Sequence, residues 1–246
     1  MTEWLVIEGR NPVLEALASG RRVKEVLIAE GSRGRAVFEV EEAAARRGVP
    51  VRRVPRRELE RLAETTAPQG VIALAAPIGY TPLEKILEAA RPGPGLLLVC
   101  DGIVDPRNLG ALIRSADAAG AHGVIVPKHR AAGLTATVMK ASAGAAAHVP
   151  VAQVVNVSRT LLFLKEQGYW VAGAAAEGSV PLWKADLRGS IALVVGSEGK
   201  GLSRLVAETC DFLVSIPMYG AVSSLNASVA GAILLYEAVR QRRAES

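Results

Sequence analysis

From Leu96 onward the chain alternates short apolar runs with amphipathic stretches at a regular spacing, and nothing else in the sequence limits the fold as strongly. Apolar runs at 96–100, 123–127, 149–154, 169–175, 191–195 and 211–216 read as strands. Between and after them, stretches at 109–119, 134–144, 157–167, 202–208 and 227–242 carry apolar residues at helical spacing. Strands that alternate with helices in this way build a mostly parallel sheet with helices on both faces, an α/β architecture. In such folds the loops leaving the carboxyl ends of the strands are where ligands bind.

The first 76 residues have a different rhythm. Strands are predicted at 4–8, 23–29, 49–54 and 70–74. Helices are predicted from Asn11-Pro12 to a stop at Gly20, over 36–47 and near 58–63. This is a small α/β unit, and 77–94 reads as a linker holding a short helix (Leu83–Ala90) and the breaker run Pro92-Gly93-Pro94-Gly95. The expected organisation is therefore 1–76, a linker 77–94, and a larger domain 95–246.

Three strand-to-helix junctions in the larger domain carry polar groups that packing alone does not require. The first, DGIVDPRNLGALIR from Asp101 to Arg114, reads as a polar loop with Asp105, Arg107 and Asn108 before a helix from about Leu109. Leu109, Leu112, Ile113 and Ala116 form the buried stripe of that helix and Arg114 lies off it, placed to hold an anion bidentately. The second, VVGSEGKGLS, puts Gly196, Gly199 and Gly201 within six positions, which lets a backbone approach a ligand closely, with Glu198 inside the loop. The third runs from Ile216 through Pro217 and Met218 into Ser223-Ser224-Leu225-Asn226 and a helix from Ala227. Asn226 or Ser228 suits the cap of that helix, whose expected inner face is Val229, Ala232, Ile233, Tyr236 and Val239.

Several function classes fall away. There is no Walker-type phosphate loop, no dinucleotide glycine fingerprint and no nucleophile elbow, which disfavours a nicotinamide-dependent enzyme and a serine hydrolase. The three histidines have no ligand spacing, so no metal site is expected, and Cys100 and Cys210 read as two separate thiols. No apolar run reaches membrane-spanning length and the start lacks a signal-peptide pattern, so a cytoplasmic protein without membrane contact is expected. The net charge is +5, and between Arg46 and Arg61 seven arginines face two acids, a local excess of the kind a polyanion would seek or a solvated face would carry.

Taken in order, N-L-G-x-x-x-R, then G-S-E-G-x-G, then I-P-M…S-S-L-N-x-S-V-A resemble the three signature motifs of the SpoU (TrmH-like) RNA 2′-O-ribose methyltransferases of the SPOUT superfamily. The similarity runs from Leu96 to the C-terminus, including RSADAAGAHGVIVPK and ASAGAAAHVPV, and 1–76 resembles the L30e-like RNA substrate-binding domain that precedes it in many members. One departure is Pro68-Gln69-Gly70, where many relatives carry His-Gln-Gly.

The resemblance implies a Rossmann-like parallel sheet with a deep C-terminal trefoil knot, S-adenosylmethionine as cofactor, and a homodimer whose interface includes the C-terminal helix. It implies cofactor contacts at Gly196, Gly201, Ile216, Met218 and Leu225. It assigns catalysis to Arg114 and Asn108, with Glu198, Ser224 and Asn226 beside them. Arg114 would act as base or hold phosphate and oxygen geometry, and Glu198 would orient Arg114 or another cation. Asn108 and Ser224 would shape the target pocket and Asn226 would brace the loop. The implied substrate is a guanosine ribose of large-subunit (23S) ribosomal RNA, with 46–61 and the Arg21-Arg22 pair on the RNA backbone. Transfer RNA as substrate, or a non-enzymatic ribosome assembly factor, are the alternatives.

Overall fold

A computed structural model describes residues 4–19, 21–63, 69–76, 79–178 and 180–244. Gly20, Pro68 and Pro77, named above as a helix stop, a motif position and the start of a linker, lie outside the described residues. The first elements are β1 (Leu5–Glu8), α1 (Arg10–Ala18), β2 (Val23–Ala29), α2 (Arg35–Arg46), β3 (Val51–Val54), α3 (Arg56–Leu62) and β4 (Val71–Ala75). They continue with α4 (Leu83–Ala89), β5 (Leu96–Asp101), α5 (Pro106–Ala118), β6 (Gly123–Pro127), α6 (Ala136–Ala141), β7 (Val151–Val154) and α7 (Val157–Glu166). The last are β8 (Trp170–Ala174), β9 (Val180–Pro181), β10 (Ile191–Gly196), α8 (Arg204–Thr209), β11 (Phe212–Ser215) and α9 (Ala227–Arg243).

The chain forms two compact units, Met1–Gly79 with Leu134–His148, and Tyr80–Gly133 with Val149–Ser246. The first unit is a four-stranded sheet in the order β1-β4-β2-β3, with β4 antiparallel to both its neighbours and β3 parallel to β2. One face buries Val13, Leu17, Val37 and Val40 of α1 and α2 against Ile7, Val26, Ile28 and Val71. The other packs Leu59 of α3 on Leu27, Val54 and Ile72. Gln69, at φ 51, accepts the Arg10 N–H at 3.4 Å, completing the start of α1, where Gly9 offers no side-chain cap. Residues 134–148, expected within the larger domain, group with this unit: α6 lies along β1, and a Cβ at Gly144 would overlap the Glu15 carboxylate.

The second unit is a seven-stranded sheet, all parallel, in the order β7-β6-β5-β10-β8-β11-β9. Its central strands are apolar and buried up to their carboxyl ends, where β5 finishes in the half-buried Asp101, because helices cover both faces. One face buries Leu97, Val99, Ile125, Val171, Ala192 and Val194 under Leu161 and Leu164 of α7 and Ile86 and Leu87 of α4. The expected linker therefore contributes a core helix to this unit.

On the other face α5 and α9 pack against each other, and α9 on β10. Glycine suits position 231 there, since a Cβ would press on the Leu112 side chain of α5. The buried residues of α9 are Ala227, Gly231, Leu234, Leu235, Glu237 and Ala238. The face expected to be inner is instead the outer one, with Val229 46% and Tyr236 51% exposed. Both faces of α9 are apolar, so periodicity alone had no contrast from which to choose. Among the described residues no helix is long and apolar enough to cross a membrane.

Candidate active site

The carboxyl ends of β5 and β10 lie level, with Asp101 paired to Gly196, so the loops that follow leave from one edge. After β5, Asp105 accepts the Arg107 N–H at 2.7 Å and α5 begins at Pro106, three residues earlier than the sequence pattern indicates. An Asp cap with proline at the first position is a strong helix start, and it moves Asn108 from the loop into the first helical turn.

After β10, Ser197 and Gly201 exchange two backbone hydrogen bonds, 3.1 and 2.9 Å, closing a tight turn with Gly199 and Gly201 at positive φ. Gly196 is buried beneath it, and a Cβ there would overlap the Gly201 carbonyl and the Leu202 nitrogen. The glycines were expected to admit a ligand; at Gly196 the close neighbour is the chain itself. Asp101 accepts the Ser203 N–H at 2.7 Å, fastening this turn to the end of β5.

The third loop leaves β11, two strands from β10, and returns over the carboxyl ends to Asn226 at the head of α9. Asn226 is the cap: its Oδ1 accepts the Ser228 N–H at 2.9 Å, the Ser228 hydroxyl at 2.6 Å and the Val229 N–H at 3.4 Å. With Oδ1 so occupied, Nδ2 turns to the other two loops, donating to Asn108 Oδ1 at 3.1 Å and to Glu198 Oε1. Asn108 Nδ2 donates to the same Glu198 oxygen at 2.9 Å. The structure thus brings Asn108, Glu198 and Asn226 into one hydrogen-bonded triangle, separated in sequence by up to 118 positions.

Glu198 was expected to orient Arg114 or another cation; its Oε1 is held by two amides. Arg114 is exposed on α5 with no side-chain partner among the described residues, and Ser224 is exposed in the third loop. Two groups escaped the sequence reading, Ser228 as the hydroxyl that fixes the Asn226 amide and Asp101 as the tie between loops. Ser228 was visible there only as an alternative cap, and Asp101 only as the first residue of the junction after the strand at 96–100.

Of the expected cofactor contacts, Gly196 ends β10 and Gly201 closes the turn. Ile216, Met218 and Leu225 are half-buried in the third loop. From Met218 to Leu225 no backbone N–H donates to another described residue. A loop with unspent main-chain donors and half-buried apolar side chains can take a ligand that offers both hydrogen-bond acceptors and an apolar surface. Among the described residues no group of histidine, cysteine or acid side chains is arranged to hold a metal ion.

Residues 95–236 match the model of the SpoU rRNA methylase family. The chain belongs to the SpoU methylase family. Residues 6–81 of this SpoU methylase match a second model, RNA 2′-O ribose methyltransferase substrate binding. Among curated relatives, a Bacillus subtilis protein, YacO, which carries the name of a TrmH-family tRNA/rRNA methyltransferase, is 45% identical over 236 residues, 95% of this chain and 94% of the relative. A crystal structure of an RNA 2′-O ribose methyltransferase superposes with a TM-score of 0.84 at 33% identity, covering 98% of this chain and 90% of that one. A Sinorhizobium meliloti rRNA methyltransferase with AdoMet bound gives 0.79 at 29% identity, covering 97% and 88%. The tRNA-modifying TrmH/SpoU enzyme of A. aeolicus gives 0.56 at 29% identity, covering 66% of this chain and 83% of that enzyme. The SpoU methylase described here is an RNA methyltransferase.

Proposed function

We propose that this SpoU methylase transfers a methyl group to the ribose 2′-hydroxyl of a guanosine in large-subunit (23S) ribosomal RNA. The observation that carries the choice of substrate is coverage. The likeness to the S. meliloti rRNA methyltransferase extends over 97% of the chain, substrate-binding unit included, whereas the likeness to the A. aeolicus tRNA enzyme extends over 66%. Such a substrate puts the reaction in the cytoplasm.

S-adenosylmethionine is the cofactor of the family, and when bound it supplies a sulfonium methyl group that passes to the 2′-oxygen as the C–S bond breaks to a neutral thioether. Ile216, Met218 and Leu225 of the third loop, with Gly196 and Gly201 of the turn after β10, would hold it by main-chain groups. The Asn108–Glu198–Asn226 triangle sets the three loops at fixed separations, so that acceptor and donor meet in line, and such alignment can supply much of the acceleration.

Glu198 receives both amides on Oε1, which leaves Oε2 to accept from the Arg114 guanidinium or a ribose hydroxyl. Arg114 binds the substrate phosphate and draws the 2′-hydroxyl into position for loss of its proton. Ser224, exposed beside the triangle in sequence, contributes a hydroxyl to the target pocket.

A deep C-terminal trefoil knot, as the family resemblance implies, would involve this third loop and α9. The outward apolar face of α9 (Val229, Ile233 and Tyr236) suits a second copy of the chain. The substrate is tested by methylating unmodified large-subunit ribosomal RNA and bulk transfer RNA in parallel, with mass spectrometry of the nuclease fragments. A single ribose-methylated guanosine in the ribosomal RNA is expected. Methylation confined to transfer RNA would overturn the choice of substrate and keep the chemistry.

A further inference from the structure

The arginines that dominate the sequence are largely spent. Arg46 pairs with Glu42, Arg52 with Glu25 and Glu58, Arg53 with Glu41 and Arg56 with Glu60, while Arg47 donates to the Leu17 carbonyl. Only Arg57 and Arg61 of that run lack a partner among the described residues. The acids that neutralise the run come mainly from β2 and α2, which a local charge count does not see.

The carboxyl edge of the parallel sheet shows the opposite balance. In strand order it carries Arg159 in the first turn of α7 after β7, then Lys128, His129 and Arg130 after β6. Arg107 follows β5 and Lys200 follows β10. None of these side chains has an acidic partner among the described residues, and all are exposed. The acids of the same edge stand at its β5–β10 end, Asp101 on the Ser203 N–H, Asp105 on the Arg107 N–H and Glu198 on the two amides, while 128–133 after β6 and 155–159 after β7 contain no acid. Glu177 stands farther along, after β8.

Adjacent strands are about 4.8 Å apart, so the row from β10 to β7 extends roughly 15 Å. The β6 loop at its centre is pinned on both sides. The Lys128 N–H donates to Val154 at the end of β7, and the Ala132 N–H donates to Ile103 in the loop before α5, both at 2.8 Å. Arg130 takes φ 56, a left-handed conformation that a side chain adopts only when its surroundings hold it.

The cations at the β6 and β7 end, Lys128, Arg130 and Arg159, have no acid in their own loops, and a string of phosphates would relieve their mutual repulsion. We propose that this edge is the phosphate track for the RNA strand flanking the target ribose, with Lys128 and Arg130 as its central contacts. The proposal rests on the methyltransferase reading above and adds where the substrate runs: outward from Asn108 across β6 to β7. A guanidinium fork at Arg130 and a point charge at Lys128 grip phosphate without reading sequence.

The test uses the full chain with Lys128→Ala/Arg130→Ala as a double variant, Arg130→Lys as the conservative one, and an unmodified ribosomal RNA transcript. RNA affinity is measured across a salt series, cofactor affinity by calorimetry, and methylation as KM against kcat. Removing one cation from the phosphates of a single strand lowers the slope of log K on log salt by about 0.7, so the double variant should flatten it by about 1.4. KM for RNA should rise about tenfold with kcat and cofactor affinity kept, and Arg130→Lys should retain the slope. An unchanged slope and KM, or loss of cofactor affinity in the double variant, would overturn the track while a methylating wild type leaves the methyltransferase reading standing. A wild-type protein that binds no cofactor and methylates no RNA would bring down both.

Discussion

Replacing Gly196 by alanine tests whether the turn after β10 is built by the chain or kept open for a ligand. The added Cβ would overlap the Gly201 carbonyl and the Leu202 nitrogen, which are backbone atoms and cannot swing aside. Relief requires opening the Ser197–Gly201 bridge, with two backbone hydrogen bonds at about 1 kcal/mol each, and overpacking adds about 1–3 kcal/mol. The expected loss is therefore about 3–5 kcal/mol. Gly199→Ala is the control: its Cβ meets nothing within 4 Å, so only the positive φ of 76° is strained, at about 1–2 kcal/mol. Urea denaturation followed by circular dichroism, with cofactor binding by calorimetry, should rank Gly196→Ala well below Gly199→Ala in midpoint. It should also cost Gly196→Ala at least about tenfold in cofactor affinity, since a displaced turn misplaces its main-chain groups. A Gly196→Ala protein with the wild-type midpoint would refute the close-approach argument.

Asn226→Ala removes the α9 cap and one corner of the triangle. We expect about 1 kcal/mol of stability lost and methyl transfer down about a hundredfold, read by denaturation and by a methylation assay; unchanged transfer would detach the triangle from the chemistry. The Arg240 guanidinium, with help from Gln241, holds the buried Glu237 carboxyl below its ordinary range. A lowered folded pKa gives stability that is complete at neutral pH and lost as pH falls through the carboxylate range. Glu237→Gln should therefore cost about 1 kcal/mol at pH 7 and progressively less below about pH 4, measured by denaturation midpoints across pH. Burial, reinforced by Asp101, pushes the Cys100 thiol up to about 12, and burial pushes Cys210 up to about 11. Both should resist alkylation by iodoacetamide at pH 7.5 in the folded protein and react on unfolding, because the thiolate is scarce.

The parallel sheet was legible in the sequence because its strands are buried on both faces and its helices have one polar side. Leu96–Asp101 and Ile191–Gly196 emerge as apolar runs bounded by turn residues, and their length of six residues favours a strand over a buried helix. The short edge strand Val180–Pro181 escaped, since two residues leave no period to read. The start of α5 was misplaced because Asp105-Pro106 resembles a loop until its cap bond is seen. The orientation of α9 was unreadable for a different reason, namely that Val229, Ile233 and Tyr236 are as apolar as the residues it buries. Asn108, Glu198 and Asn226 could be chosen as polar residues in loops at strand ends, but their common meeting point depends on which strands are neighbours. That information lies in the order β5-β10-β8-β11 and in no local window. The arginine run misled in part for the same reason, because Glu25 and Glu41, which pair with Arg52 and Arg53, lie outside it in sequence and beside it in space.

The central claim is that the triangle and Arg114 together carry methyl transfer to RNA. Its most direct test is transfer of label from methyl-labelled S-adenosylmethionine to unmodified large-subunit ribosomal RNA by the wild-type protein and by Arg114→Ala, with cofactor affinity measured on both. The account predicts incorporation by the wild type, a fall of about 10²–10⁴ in the variant, and cofactor affinity unchanged within about twofold. Incorporation by Arg114→Ala at the wild-type rate would contradict it.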